Sequence, residues 1–170
     1  NFESGKLCTP SWVLKITKQA VKQIQGAGSG LVLQGSPRTL FEAFGKTGNP
    51  GRFDTLVKLY GKKNIFIFEI AIPPRESILR NSRRLVCSVC DTPLLRFYKN
   101  MKNCPFCGGK LLKRSLDKPE VIKVRIKEYK ERTEPIFREL KRRGFKIHLV
   151  NGRPMPVQIF KNIGKVLNRG

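Results

Sequence analysis

Cys87 and Cys90, then Cys104 and Cys107, form two Cys-x-x-Cys pairs separated by thirteen residues. Each pair is a turn that aims two sulfurs at one point. Two such turns complete a tetrahedral four-sulfur site of the kind that suits Zn²⁺. Gly108 and Gly109 follow the second pair, where the missing side chains let backbone N–H groups approach the sulfurs. Four thiolates leave no open position for water, so the ion this pattern predicts is structural and not catalytic. A redox Cys-x-x-Cys lacks a thioredoxin-like setting here. The fifth cysteine, Cys8, stands alone and is expected to be a core thiol. An odd, clustered set means metal binding in a reducing compartment, cytoplasmic or an organellar matrix, rather than a disulfide framework.

The elements that must carry this knob are legible from spacing. Thr9-Pro10 is an N-cap followed by proline at the first helical position, and Trp12, Val13, Ile16, Ala20, Val21 and Ile24 then keep helical spacing. Gly26–Gly30 reads as a loop; no Gly-Lys-Ser/Thr directly follows it to make it a phosphate cradle. Leu31-Val32-Leu33 predicts a short buried strand, Ser36-Pro37 a turn, and a helix begins near Thr39. A loop over Gly45–Arg52 precedes an amphipathic helix over Phe53–Tyr60. Asn64–Ala71 is nearly all apolar, as suits a strand covered on both faces of a parallel sheet. Pro73-Pro74 ends it and a helix runs on through Arg84. After the cysteines, a long helix starts near Pro119 with an apolar stripe through Val121, Ile122, Ile126, Tyr129, Ile136, Phe137 and Leu140. Lys146–Val150 is another strand, and Pro156 opens a last helix with Phe160, Ile163 and Leu167 inward. Strands alternating with helices predict a parallel α/β sheet. His148, the sole histidine, lies in a predicted strand and reads as structural.

The 170 residues suffice for one domain with a core, and no apolar run approaches the ~20 residues of a membrane helix. The net charge of +23 is uneven: residues 1–80 carry 12 basic and 5 acidic side chains, residues 81–170 carry 23 and 7. A field of that size favours polyanions such as nucleic acid. Candidate surfaces are Arg138, Lys141, Arg142, Arg143 and Lys146, and Lys99, Lys102, Lys110, Lys113 and Arg114. Phe97, Tyr98 and Phe106 either stack on bases or form the knob's own small core. No amphipathic helix with a large exposed apolar face stands out, which argues against a membrane surface.

The segments around the knob resemble the adenylate kinase family, specifically its zinc-bearing lid. Gln34-Gly35-Ser36-Pro37-Arg38-Thr39 is similar to the family's DGFPRT. Arg80, Arg84 and Cys87 match the basic run entering the lid. Arg114, Asp117, Glu120, Ile122, Arg125 and Tyr129 match the motif leaving it, with Thr133 and Pro135 continuing. Val150-Asn151-Gly152 resembles the IDG turn, and Gly5-Lys6-Leu7 a GxLV stretch. The match covers almost the whole chain in order. It implies an α/β, P-loop-kinase-like parallel sheet with flanking helices: residues 1–84 and 114–170 as two parts of the core, and 85–113 as the lid. It further implies that Gly35, Arg38 and Glu42 bind AMP, with Arg38 on its phosphate, while Arg80, Arg84, Arg114 and Arg125 clamp the phosphates of ATP with Mg²⁺. The knob becomes a lid that closes to exclude water.

Several positions depart from the pattern. Gln34 replaces an acid, Ser36 an aromatic, Glu42 the glutamine that reads adenine, and Leu116 the first acid of the lid exit. Asn1 falls roughly 50 residues into the family pattern, past the phosphate loop and first strand. The family's central strand is then expected to come from an N-terminal extension, from a partner protein, or to be missing from a fragment, since an unfilled gap leaves buried backbone groups unpaired at about 1–3 kcal/mol each. Two functions follow. One is a catalytically degraded kinase-like protein that binds RNA, as a component of a ribosome or other ribonucleoprotein. The other is an active nucleoside monophosphate kinase whose phosphate-loop segment lies outside this sequence.

Overall fold

The computed structural model describes residues 8–94, 101–114 and 117–168. In chain order the elements are α1 (Pro10–Gly26), α2 (Leu40–Phe44), β1 (Gly45–Lys46), β2 (Asn49–Pro50), α3 (Arg52–Tyr60), β3 (Ile67–Ala71), α4 (Pro74–Ser82), β4 (Leu85–Cys87), β5 (Pro93–Leu94), β6 (Leu111–Leu112), α5 (Pro119–Glu128), α6 (Glu134–Arg142), β7 (Ile147–Asn151) and α7 (Pro156–Leu167). A 3-10 turn, Lys62–Asn64, precedes β3, and a π-helical turn, Tyr129–Thr133, joins α5 to α6. Contacts divide the chain into two compact units: Ile72–Lys127, and Leu7–Ala71 together with Glu128–Gly170.

The second unit has a core of Val21, Ala43, Phe53, Leu56, Ile67, Ile136 and Leu140. Its parallel strand pair runs from Ile67 opposite Ile147 to Ala71 opposite Asn151. Parallel neighbours require a crossover, which here includes α6, packed by Ile136 and Leu140 into that core. Pro135 explains the π-helical turn. It has no N–H to continue the α-helical ladder, and the turn absorbs the mismatch with Glu134 N–H bonding back to Tyr129 C=O. His148 lies in β7 with its ring 5.3 Å from that of Phe68.

Several expectations are corrected. Residues 31–33 form no strand among the described residues, and Val32 is 92% exposed. An apolar triplet becomes a strand only where a partner takes its backbone groups. β3 begins at Ile67, and its partners leave Ile70 half exposed, so it is not covered on both faces. Residues 45–50 form a tight hairpin rather than an open loop. On α1 Val21 of the expected stripe is buried, with Val13, Ala20 and Ile24 partly so, but Trp12 and Ile16 are exposed and Leu14, outside that stripe, is buried instead. Thr9 occupies the cap position without a side-chain cap bond. Cys8 is exposed rather than a core thiol. The long helix expected from Pro119 is two helices across the π-helical turn. α7 buries none of its residues, and Phe160, expected inward, is 75% exposed, so this helix does present an apolar face. No described helix is long and apolar enough to cross a membrane.

The first unit holds a three-stranded antiparallel ribbon in the order β5-β4-β6, with α4 entering it and α5 leaving. Phe97, Tyr98, Lys99 and Leu116 lie outside the described residues, as do Asn1 and Gly5-Lys6-Leu7.

Candidate functional site

β4 and β6 bring the two cysteine pairs together. The four Sγ atoms of Cys87, Cys90, Cys104 and Cys107 all lie within 4.8 Å of one another. Cys87 Sγ is 3.4 Å from Cys107 Sγ, and Cys90 Sγ is 3.7 Å from Cys104 Sγ. Those spacings exceed a disulfide's ~2.05 Å by far and suit the edges of a tetrahedron whose centre is ~2.3 Å from each sulfur. The N–H groups of Val89 and Cys90 point at Cys87 Sγ, at 3.4 and 3.5 Å, and stabilise a thiolate there. A Cβ on Gly109 would sit 2.8 Å from Cys87 Sγ and from Val89, so glycine is required for this approach. The thiols differ electrostatically. Hydrogen bonding with the Thr92 side chain, then with its backbone, draws Cys90 down to about 6. Cys107 is pushed up to about 12: the Gly109 N–H pulls it down, and the surrounding thiols of Cys87, Cys90 and Cys104, with burial, outweigh that pull. A divalent cation with soft-ligand affinity removes this conflict by replacing the protons, so the donor set fits Zn²⁺. Phe106 is 72% exposed and does not form a core to the knob.

The same unit positions the arginines read from the sequence. Arg84 grips Asp117 with two hydrogen bonds, Nε to Oδ2 at 2.9 Å and NH2 to Oδ1 at 2.5 Å. The Asp117 side chain is 4% exposed and the Arg84 side chain 22%, so a buried carboxylate orients a guanidinium that still reaches solvent. Arg80 Nε donates to Glu76 one helical turn earlier, at 2.6 Å. Arg114 and Arg125 are exposed.

In the other unit, Gly35-Ser36-Pro37-Arg38-Thr39 forms a turn closed by α2. Gly35 has φ +62°, and the Ser36–Pro37 peptide is cis. Thr39 caps α2 by accepting from Glu42 N–H at 3.1 Å. Glu42 reciprocates, accepting from Arg38 N–H at 3.0 Å and from the Thr39 hydroxyl at 3.2 Å. Both Glu42 oxygens are engaged by its own turn, and the residue is 2% exposed. The Thr133 hydroxyl, from the π-helical turn, donates to Arg38 C=O at 3.0 Å. Arg38 is thus held at both its N–H and its C=O. Its side chain is exposed, with only Nε bonded, to Gly35 C=O at 2.7 Å, among the described residues.

Sequence reasoning did not single out Arg52. It is fully buried, lies 4.0 Å from Glu42, and donates to the hydroxyls of Ser36 and, at 2.6 Å, Thr17. Burial pushes the guanidinium down and the Glu42 charge opposes that shift; an arginine stays protonated at neutral pH regardless. One signal was readable: Arg52 is in helical phase with Thr55 and Leu56, the buried stripe of α3.

No family model matches the chain. Among similar proteins, the adenylate kinase of Archaeoglobus fulgidus is 28% identical over 171 residues, 99% of this chain and 75% of that protein. The adenylate kinase of Methanothrix thermoacetophila is 31% identical over 171 residues, again 99% of this chain and 75% of that protein. The chain belongs to the adenylate kinase family. The adenylate kinase of Mycoplasma capricolum agrees, at 31% identity over 88% of this chain and 68% of its own. Membership in the adenylate kinase family brings with it a P-loop-kinase-like α/β fold, and makes the protein nucleotide-kinase-like. The mixed helices and strands and the parallel β3–β7 pair accord with it.

Proposed function

We propose that this protein binds a nucleoside monophosphate at the Gly35–Arg38 turn and works as a nucleoside monophosphate kinase, with ATP and Mg²⁺ as the donor. The observation that carries the reading is Arg38: its backbone is pinned from both sides while its guanidinium reaches solvent. A cation fixed before the ligand arrives loses little entropy on binding a phosphate, and the N–H⁺···O⁻ bonds it forms are the strong kind. In this reading Arg80, Arg84, Arg114 and Arg125 neutralise charge on the donor and on the transferring phosphoryl group, which is most of what catalysis of this reaction requires. The cysteine ribbon, loaded with zinc, holds Arg84 and Arg114 on a rigid frame. Gln34 and Leu116, where the family has acids, predict weaker support for Mg²⁺ and a slower chemical step. Phosphoryl transfer from ATP to AMP, followed by ADP formation, tests it directly; ATP and AMP binding with no ADP formed leaves a nucleotide-binding protein, and no binding of either ends the proposal.

A second reading, a degraded kinase that binds RNA in a ribonucleoprotein, is favoured by one feature. Arg138, Lys141, Arg142, Arg143 and Lys146 are all exposed at the end of α6. Beside them a groove of about 510 Å³ has Phe41, Phe44, Pro135, Arg138, Glu139 and Arg142 in its lining, an aromatic floor with two basic side chains, of which Arg142 is paired with Glu139. RNA affinity that falls steeply with salt would support this; affinity for a single-stranded oligonucleotide that is absent at low salt removes it. A protein partner that adds a strand beside β3 belongs to the same reading, and pull-down with ribosomes would reveal either.

A further inference from the structure

We infer that Arg52 is the positioning residue of the monophosphate turn, holding Ser36 and Glu42 so that Arg38 is presented in one fixed conformation. The inference rests on the proposed monophosphate site and adds a residue to it.

The construction begins at Gly51. A Cβ there would lie 2.4 Å from Ala43 C=O and from Phe44, so only glycine lets the start of α3 pass against the end of α2. That passage carries the next side chain, Arg52, beneath the turn. There the guanidinium meets three segments that are far apart in sequence: Thr17 of α1, Ser36 of the turn, and Glu42 of α2. Its side chain is completely enclosed, and its Nε has no partner among the described residues. Packing alone does not account for a charge in that place, because an apolar side chain of similar volume is often as stable as a buried ion pair. Orientation does. Arg52 restrains Ser36, two residues before Arg38, and faces Glu42, which accepts the Arg38 N–H. The restraints on the N-terminal side of the arginine that would bind phosphate, at Ser36 and at the Arg38 N–H, therefore trace back to one buried guanidinium, while Thr133 holds the Arg38 C=O. Ser36 and Glu42, two of the residues that depart from the family pattern, are both engaged by Arg52. Their chemistry is explained as a matched polar set, with Glu42 as a counter-ion and turn closer rather than a reader of the base.

The experiment is amide hydrogen exchange by NMR, combined with AMP and ATP titrations, on the full chain, Arg52→Met and Ser36→Ala. In Arg52→Met, exchange at the Arg38 and Glu42 amides is expected to rise tenfold or more, with the β3 and β7 amides unchanged. AMP affinity falls about tenfold while ATP affinity stays within about twofold. Ser36→Ala, which removes only the contact to the turn, gives the same pattern at smaller amplitude and serves if Arg52→Met does not fold. Unchanged exchange at Arg38 and Glu42 in a folded variant overturns the role of Arg52. If the unsubstituted chain binds no AMP, the monophosphate reading fails, and the exchange result alone still decides whether Arg52 holds the turn.

Discussion

Arg84 and Asp117 are joined by two hydrogen bonds, at 2.9 and 2.5 Å, across 33 positions of sequence. The pair ties the segment entering the cysteine ribbon to the segment leaving it. A bidentate carboxylate fixes both the place and the plane of a guanidinium, which a single contact does not. The ribbon is therefore closed at its base by a charge pair and at its tip by four sulfurs.

Asp117→Asn is expected to destabilise the unit by about 1–3 kcal/mol, less than for a fully enclosed pair because the released Arg84 can turn to water. Chemical denaturation monitored on α5 reads this. The double variant with Arg84→Gln should lose less than the sum of the single losses, since the two groups act as one.

Metal content gives a second prediction. Purified protein carries one zinc per chain, and Cys104→Ser carries much less. Chelation melts the β4–β5–β6 ribbon while β3 and β7 keep their exchange protection, because the ligands of a structural zinc supply the folding energy of a small ribbon. Gly109→Ala weakens zinc binding about tenfold or more, as the new Cβ would sit against Cys87 Sγ.

These cysteines were the most legible part of the molecule. Their spacing alone specified four sulfurs around one point, and the fold brings them there. Helix starts at Pro10, Pro74 and Pro156 were readable because proline pre-sets the first helical residue. What the sequence hid depended on distant partners. Leu31-Val32-Leu33 has strand composition but no strand neighbour among the described residues. Trp12 and Ile16 share helical spacing with Val21, yet only Val21 of the three is buried, and the other buried residue of α1 is Leu14, which the spacing did not single out. Arg52 has the composition of a surface residue, and only the close approach at Gly51 takes it inside.

A pH effect follows from Glu139. Hydrogen bonds from Arg142, then from Arg143, hold its carboxyl down to about 2. Ordinary glutamates titrate near ~4.3, so the folded state binds this proton less readily than the unfolded chain. Its stabilisation is fully present above the unfolded value and is lost as pH falls toward about 2. Glu139→Gln should therefore flatten the acid limb of the stability curve between about pH 4 and pH 2 and lower near-neutral stability by the same amount, which is small because solvent screens the group. Thermal unfolding measured across that range checks it.

The central claim is that Arg38 receives the phosphate of a nucleoside monophosphate. Calorimetric titration of AMP into the intact protein and into Arg38→Ala tests it most directly. The account predicts saturable binding by the unsubstituted chain and a loss of ten- to a hundredfold in the variant, the value of about 1.5–3 kcal/mol for charge-assisted hydrogen bonds, with thermal stability and zinc content unchanged. Equal affinity in the two proteins, or no AMP binding in either, would contradict it.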